Sequence, residues 1–346
     1  MDSRRYRVVQ WATGNIGMHS LRAVIQHPTL DLVGLYVYSE SKAGQDAGEL
    51  CGVGPVGVIA TSDIEEILAQ KADCVLYMAD RVDLDVLCRI LESGANVVAT
   101  RSELHRAASM EEGMRTRIEA ACQAGGTSLH STGSSPGFIT EALPLVLASL
   151  QRRLDRLTIE EFADMSSRNS PEMIFDLMGF GRDPSTFDAG GVSRHGGMTF
   201  AASLGVLADA ISMPLDDVVT AGEVAVAREG VDVAAGRVEA GTVAAQRMEV
   251  TGMHNGRPLV TFRANWYLTT RVEPAWDLRG TGWHVLLEGD TPLDIDIHFP
   301  VPDDLWAQTS PGLTAHRPVN AIPYVCAAGP GIRTTADLPL IIPTLG

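Results

Sequence analysis

The strongest constraint on the fold is an alternation, over the first part of the chain, of short apolar runs with segments of helical periodicity. The runs have the length and β-branched content of buried strands, and they span residues 6–11, 30–39, 54–61, 73–79, 96–100 and 127–132. Parallel strands need a long crossover connection, which a helix supplies. The alternation therefore predicts a parallel sheet with helices on both faces.

The chain changes character after the segment GSSPGF at 133–138. A strand-like run and three helical segments precede residue 218, and long β-rich stretches follow it, with a hairpin turn in HNGRP at 254–258. The segment 314–331 has helical spacing despite its prolines, and we expect it to return to the first domain. These features predict an α/β protein with a Rossmann-type doubly wound parallel sheet and a second α+β domain built on a largely antiparallel sheet. The expected domains are residues 1–137, 138–313 and 314–346.

Composition narrows the class of ligand. The formal net charge is -16, which disfavours nucleic acid and anionic membranes as partners because both bind through basic patches. A small molecule is the expected ligand. Neither an apolar span of membrane length nor a signal-like stretch before the first strand is present, so we expect a soluble cytoplasmic protein. The cysteines are odd in number and scattered, which predicts reduced structural thiols at Cys51, Cys74, Cys88, Cys122 and Cys326.

The first strand is followed by the turn ATGNIG. Gly14 and Gly17 keep the spacing of the last two glycines of the GxGxxG motif, and Ala12 takes the place of the first. Small residues here let the backbone approach a pyrophosphate at a helix N-terminus. An ordinary strand-to-helix turn is the alternative, but the position in the first strand–helix–strand unit favours dinucleotide binding. The expected cofactor contacts are Ala12, Thr13, Gly14, Asn15, Ile16 and Gly17.

The end of the second strand bears on the choice between NAD and NADP. An acidic residue at this point would bind the ribose hydroxyls of NAD, whereas Ser39, Ser41 and Lys42 are suited to a 2′-phosphate. Glu40 lies among them, so NADP is favoured and NAD remains possible. Tyr38 and Lys42 also match the YxxxK pair of short-chain dehydrogenases, but on the adenosine side of the expected site, and we treat that match as chance.

Two later loops are expected at the carboxyl edge of the parallel sheet, where ligands bind in open α/β folds. One runs from Thr100 to Glu103, and the other, STGSSPGF, from Ser131 to Phe138. Glycines and a proline make the second loop a close, stiff turn. For Glu103 the alternatives are a helix-capping or solvated carboxylate and a carboxylate that works on the substrate.

Five segments together resemble the native amine dehydrogenases. They are ATGNIG (12–17), TRSEL (100–104), STGSSPGF (131–138), EEFADMSSRNSPEMIFDLMGFG (160–181) and VNAIP (319–323). This family includes relatives of 2,4-diaminopentanoate dehydrogenase within the dihydrodipicolinate reductase-like superfamily. The resemblance implies NAD(P)H-dependent reductive amination of a small aldehyde or ketone with ammonia, and the reverse oxidative deamination. A glutamate of that family interacts with ammonia or the amine, and Glu103 is the matching position.

The same resemblance extends the expected site. Further cofactor contacts would be Ala79, Thr100, Arg101, Gly133, Ser134 and Asn320. The substrate pocket would be lined by Ser135, Pro136, Phe138, Phe175, Met178, His195, Met198 and Thr199. Each of these positions is also compatible with a residue of the core or of a helix face. Family members often carry a larger residue at the position of Ser135, so the substrate is left open.

Other interpretations remain at this stage. Asp294, Asp296 and His298 alternate on one strand and would suit a metal, but a polar sheet face explains them more simply, and no metal is expected. A carbonyl or imine reductase that does not use free ammonia is one rival function, and a non-catalytic NADP-binding sensor is another. The β-rich second half suggests a homodimer that pairs through its sheet.

Overall fold

The computed structural model describes residues 4–345, apart from the side chains of residues 189, 191–195, 198, 303 and 304. The chain forms two compact units. Unit 1 comprises residues 1–138 and 308–346, and unit 2 comprises residues 139–307. Among the described residues, no helix is both long and apolar enough to cross a membrane.

The first stretch of unit 1 alternates strands and helices as the sequence predicts. Its strands are β1 (Tyr6–Trp11), β2 (Leu30–Tyr36), β3 (Ala60–Thr61), β4 (Cys74–Tyr77), β5 (Asn96–Ala99) and β6 (Ser128–Ser131). Its helices are α1 (Asn15–Gln26), α2 (Ala47–Cys51), α3 (Ile64–Ala69), α4 (Leu84–Glu92) and α5 (Glu112–Gly125). The strands are parallel and lie in the order β6-β5-β4-β1-β2-β3. This is the order of Rossmann folds, so the predicted fold class of the first domain is confirmed.

Both faces of this sheet are buried, because successive residues of each strand point to opposite sides. On one face, Val9, Val75 and Val97 pack with residues of α4 and α5. On the other, Val8 and Leu76 pack with α1 and with residues near the end of the chain. The near-continuous apolar strands of the sequence are therefore the two-sided core of a parallel sheet.

Unit 2 is built on a mixed sheet. Its α-helices are α6 (Leu143–Ala148) and α7 (Ala189–Ala210), and shorter helical turns span Glu172–Leu177 and Pro184–Thr186. Its strands are β7 (Leu154–Asp164), β8 (Asp217–Ala227), β9 (Val231–Val233), β10 (Gly236–Val238), β11 (Val243–His254), β12 (Arg257–Tyr267), β13 (Val272–Glu273), β14 (Gly282–Gly289) and β15 (Leu293–His298). The main sheet has the order β13-β8-β11-β12-β7-β14-β15, and only its β12–β7 pair is parallel. The prediction of a largely antiparallel second sheet is confirmed.

The final helix and strand complete the chain. Helix α8 (Asp303–Ala327) continues through Pro311, Pro318 and Pro323, and β16 (Gly331–Arg333) pairs in parallel with β6. Val319, Ile322 and Val325 of α8 lie in the same apolar cluster as the β1, β4 and β5 side chains. The C-terminal segment thus adds a seventh strand and one covering helix to unit 1.

Three local expectations differ from the structure. The strand expected at 54–61 is reduced to β3, because Gly54 and Gly57 have positive φ and the Asp46 carboxylate accepts hydrogen bonds from the Val56 and Gly57 N–H groups. Helices α7 and α8 begin earlier than their sequence patterns suggest. The strands β9, β10, β13 and β16 were not foreseen, since two or three residues are too few to establish a period.

The two faces of the unit 2 sheet differ in character. Helix α7 covers one face, where Phe200 stacks on Phe262 of β12 with ring centroids 3.9 Å apart. The neighbouring Arg263 points to the other face and contacts Glu160 at 2.8 Å and Glu249 at 2.7 Å. On the same face, His284 Nδ1 lies 3.1 Å from Glu160 Oε2 and Nε2 lies 2.8 Å from Asp294 Oδ1. This outer face is therefore a connected network of charges.

The His284 contacts predict a pH-dependent stability. Burial lowers the pKa of His284, but hydrogen bonds to Asp294 and Glu160 outweigh burial and the repulsion from Arg279, so the pKa lies above 6.5. A raised folded-state pKa stabilises the fold fully below 6.5, and this stabilisation is lost as pH rises through the folded value. We expect the urea midpoint difference between wild type and His284→Asn to shrink as pH increases from about 5.5 to about 9. His298→Asn on β15 is the matched control, and an equal pH trend in both variants would contradict the prediction.

Candidate functional site

The turn between β1 and α1 is fixed by a buried amide. Gln10 Nε2 donates to the Ala12 carbonyl oxygen at 3.0 Å, and Ser20 Oγ donates to Gln10 Oε1 at 2.8 Å and to the Gly17 carbonyl at 3.1 Å. Ala12 has φ 71°, a left-handed conformation that glycine adopts more easily. The first position of the glycine motif thus keeps its backbone shape although its residue is alanine.

Gly14 and Gly17 serve different purposes in this turn. A Cβ atom at Gly17 would lie 2.4 Å from the Ala12 carbonyl oxygen, so the close packing of α1 on the turn requires glycine there. A Cβ atom at Gly14 would meet nothing within 4 Å. The fold does not need glycine at 14, and the open space above it is where a ligand could approach the backbone.

A cavity of about 1000 Å³ opens at this turn, at the carboxyl edge of the parallel sheet. Its volume is at the upper end of the usual range for small-molecule sites. Gly14 is the N-cap residue of α1, and among the described residues no side chain caps the N-terminus of this helix, which leaves N–H groups for an anion. The lining includes the predicted residues Ala12, Thr13, Gly14, Asn15, Ile16, Gly17, Ser39, Lys42, Ala79, Thr100 and Arg101. These groups fit the pyrophosphate of a dinucleotide.

The end of β2 contributes a polar group to the cavity. Lys42 Nζ donates to the Thr13 carbonyl at 3.0 Å and lies 3.1 Å from Thr13 Oγ1, so it ties this segment to the glycine turn. Ser39 Oγ and Ser41 Oγ are exposed and 2.7 Å apart. Ser41 does not itself line the cavity but is held beside a residue that does.

An aromatic cluster beneath the cavity was not foreseen. Trp11 stacks on Tyr36 with ring centroids 3.8 Å apart, and its Nε1 donates to Tyr38 Oη at 3.0 Å. Tyr77 stacks on Trp11 at 5.9 Å, its Oη accepts a hydrogen bond from the Asp83 N–H at 3.1 Å, and burial raises the pKa of Tyr77 above its ordinary value. These aromatic residues come from or directly follow the ends of β1, β2 and β4, which is the only signal that the sequence offered. Tyr38 therefore contributes to the cavity wall.

Glu103 lies in a one-turn helix directly after β5. Its side chain is 37% exposed and forms an ion pair with Arg101, whose Nη2 lies 3.0 Å from Glu103 Oε1. Glu103 is not in contact with the cavity, but Arg101 lines it. The ion pair thus places the carboxylate next to the cavity rim, and exposure leaves it open to a ligand.

The loop after β6 forms a tight turn. Ser135, Pro136 and Gly137 interrupt the helical conformation of residues 134–142, and Gly137 has φ 123°. Ser135 Oγ is buried and has no hydrogen-bond partner among the described residues. Buried polar groups are nearly always paired, so the unpaired Ser135 hydroxyl is an unusual group in this loop.

The remaining predicted residues are distributed over both units. Gly133, Ser134, Pro136 and Phe138 belong to the loop just described, and Asn320 is half-buried on α8. In unit 2, Phe175 lines a cavity of about 390 Å³ together with Phe180 and Arg182. The Met178 carbonyl accepts a hydrogen bond from Gln246, and Thr199 lies on α7. The side chains of His195 and Met198 lie outside the described residues.

The suggested metal constellation has another explanation. Asp294 bonds to His284, and Asp296 lies 2.6 Å from Arg279 Nη1. Within residues 4–345, as far as their side chains are described, no three potential metal-ligating residues lie together. The carboxylates of β15 belong to the ion network of the outer sheet face.

The contrast between the two glycines yields a prediction. We expect Gly14→Ala to leave the melting temperature nearly unchanged but to weaken NAD(P)H binding by about tenfold or more, because the methyl group would occupy the space where the pyrophosphate approaches. Gly17→Ala should lower the melting temperature, since the new Cβ would clash with the Ala12 carbonyl. Thermal melts and fluorescence titration with NADPH separate the two effects. Equal loss of stability in both variants would contradict this division of roles.

Comparison with known proteins agrees with the geometry. Residues 138–346 match the 2,4-diaminopentanoate dehydrogenase C-terminal domain, and residues 8–101 match the N-terminus of dihydrodipicolinate reductase. The chain is 31% identical to an amine dehydrogenase of Streptomyces virginiae over 96% of both chains. It is 25% identical to the 2,4-diaminopentanoate dehydrogenase of Acetoanaerobium sticklandii, with 80% of this chain and 77% of that protein covered.

A solved structure shares the fold. The amine dehydrogenase from Mycobacterium smegmatis superposes with a TM-score of 0.74 at 21% identity, with 97% of each chain covered. The second-domain match spans more than half of the chain, and the relative from Streptomyces virginiae covers nearly all of it. The chain therefore belongs to the family of NAD(P)-dependent dehydrogenases that contains amine dehydrogenase and 2,4-diaminopentanoate dehydrogenase.

Proposed function

We propose that this protein catalyses reductive amination of a small, largely apolar aldehyde or ketone, and the reverse oxidative deamination. In the forward direction a carbonyl compound, ammonium and NAD(P)H give a primary amine, water and NAD(P)⁺. The observation that supports this most strongly is the similarity to an amine dehydrogenase along almost the entire chain. The cavity at the glycine turn and the nearby Glu103 carboxylate give that similarity a physical basis.

The cofactor would be held by the residues of unit 1. The N–H groups at the start of α1 suit the pyrophosphate, and the space above Gly14 allows its close approach. The nicotinamide supplies the hydride in amination and accepts it in deamination. We assign the nicotinamide end to the loops after β5 and β6, through Thr100, Arg101, Gly133 and Ser134, and to Asn320.

Glu103 would handle the protons of the amine. Ammonium cannot attack a carbonyl carbon until it loses a proton, and a neighbouring carboxylate can accept that proton. The attack gives a carbinolamine, and return of the proton to its hydroxyl group releases water and leaves an iminium ion. The carboxylate then stabilises this cation electrostatically until hydride converts it to the amine. Arg101, which lines the cavity, donates two hydrogen bonds to Glu103 Oε1 and so holds the carboxylate in place.

The residues for the substrate are proposed for each unit by itself. We assign Ser135, Pro136 and Phe138 of unit 1 to this role, and the unpaired Ser135 hydroxyl supports the assignment. From unit 2 we assign Phe175, Met178, His195, Met198 and Thr199. Their largely apolar character favours a substrate with a short hydrocarbon group.

NADP is the cofactor that we propose as preferred. The exposed hydroxyl pair of Ser39 and Ser41 is suited to hydrogen bonds with a 2′-phosphate, and Lys42 brings a positive charge into the same cavity. Lys42 Nζ is already held by its hydrogen bond to Thr13, so its positive charge would attract the 2′-phosphate without a change of position. Glu40 is exposed beside these residues, which leaves use of NAD open.

We also propose a cytoplasmic homodimer that pairs through the outer face of the unit 2 sheet. This face carries Arg263 between Glu249 and Glu160, and Val219 on the same face is 50% exposed. All five cysteines are free thiols, which suits a reducing compartment.

We expect light scattering to give twice the chain mass of 37.0 kDa, and Val219→Asp to shift the measured mass toward that of one chain. A wild-type mass of one chain at micromolar concentration would reject the dimer.

The activity is tested by oxidation of NADPH and NADH at alkaline pH with a panel of small aldehydes and ketones, each with and without ammonium. We expect turnover that depends on ammonium and is faster with NADPH. Glu103→Gln should reduce kcat by about 10²- to 10⁴-fold, because the neutral amide cannot take a proton. Glu119→Gln, an exposed position on α5, is the control and should keep full activity.

The other outcomes select the rival functions. Turnover without ammonium would identify a carbonyl reductase, and tight NADPH binding without turnover on any carbonyl would favour a sensor. Full aminating activity in Glu103→Gln would remove the role of that carboxylate while leaving the reaction itself standing.

A further inference from the structure

Helix α8 holds the loop after β6 at two points. Arg317 Nε lies 3.1 Å from Thr132 Oγ1, and Ser134 Oγ lies 2.7 Å from Thr314 Oγ1. The guanidinium carbon of Arg317 also lies 5.6 Å from the centre of the Phe138 ring, a distance at which cation and ring attract each other. One arginine therefore contacts the first and the last residue of the turn 132–138.

The turn has no room to adjust between these contacts. Thr132 is fully buried, and a Cβ atom at Gly137 would lie 2.8 Å from Thr132 Oγ1. The Phe138 N–H donates to the Gly133 carbonyl at 2.8 Å, which closes the turn on itself. The Thr132 hydroxyl is thus enclosed between Arg317 and Gly137, and a shift of Thr132 would move Gly137 and Phe138.

The loop after β6, held in this way, contains one buried side-chain hydroxyl without a hydrogen-bond partner among the described residues. Thr132 and Ser134 bond to α8, whereas Ser135 Oγ is buried without a partner among the described residues. A buried hydroxyl without a hydrogen-bond partner costs free energy unless a ligand supplies that partner. The contacts of α8 therefore fix the backbone that carries this buried, unpaired hydroxyl.

We propose that Arg317 is a positioning residue that, with Thr314, sets the orientation of the Ser135 hydroxyl and the Phe138 ring, and so determines which carbonyl substrate is accepted. This inference rests on the proposed function in one respect, the assignment of the loop to the substrate. Arginine suits the role better than lysine, because its planar guanidinium can lie over a ring while Nε donates in a fixed direction.

The test uses the full chain and four variants: Arg317→Met, Arg317→Lys, Thr132→Val and the Arg317→Met/Thr132→Val double mutant. We expect Arg317→Met to lower kcat/KM for the carbonyl by about 10- to 100-fold and to raise KM for NADPH by a smaller factor, because the loop is displaced while the glycine turn that would hold the pyrophosphate is not. Arg317→Lys should recover part of the loss. The double mutant should have the same kcat/KM as Arg317→Met, since both single changes remove the same Arg317–Thr132 hydrogen bond. Arg333→Met, which alters another arginine of the C-terminal segment, is the control and should keep wild-type kinetics.

Hydrogen exchange of residues 129–140 provides a readout that needs no turnover. We expect faster exchange in this segment in Arg317→Met, with the rest of unit 1 unchanged. Three results would each overturn the proposal. The first is a double mutant whose loss of kcat/KM is the sum of the two single losses in free energy. The second is an equal rise in both KM values together with a general fall in stability, and the third is unchanged hydrogen exchange. If the wild type shows no ammonium-dependent turnover, the proposed function fails, while the exchange experiment still decides whether Arg317 holds the loop.

Discussion

The close approach of α1 to the end of β1 is the contact on which the rest of the site depends. It requires glycine at 17, a left-handed backbone at Ala12, and the buried Gln10–Ser20 bond that holds the turn from below. Together they aim the start of a helix into a large cavity at the carboxyl edge of the sheet. Burial of two polar side chains costs free energy unless both are hydrogen-bonded, and Gln10 and Ser20 each have hydrogen-bond partners.

The chain separates two tasks between its units. Unit 1 supplies a rigid parallel sheet whose strand ends meet at one edge, so residues distant in sequence, such as Thr13, Lys42 and Arg101, line one cavity. Unit 2 supplies a broad sheet with one face covered by α7 and the other laced with ion pairs. Removing one partner from such a partly buried network would leave a charge uncompensated, so its members support one another.

The C-terminal segment links the sheet core to the site. The buried face of α8 carries the small and branched side chains Ala315, Val319 and Ile322, which pack in unit 1 although three prolines lie in the helix. Its Thr314 and Arg317 then reach the loop after β6. Burial of the apolar face and support of the loop therefore come from the same element.

The sequence by itself determined the fold class and the glycine turn, because alternating strand and helix periods and the spacing of small residues are local properties. It also selected Glu103 and the loop 131–138, through their places after strands and their resemblance to a family. It did not reveal the Trp11–Tyr38–Tyr77 cluster, the Arg101–Glu103 ion pair or the hold of Arg317 on Thr132. In the aromatic cluster and in the Arg317–Thr132 contact, the partners are separated by about 30 to 190 residues and share no sequence period. In the Arg101–Glu103 pair, the direction of the side chains depends on a one-turn helix. Such contacts are decided when the sheet brings strand ends together, so only the tertiary structure specifies them.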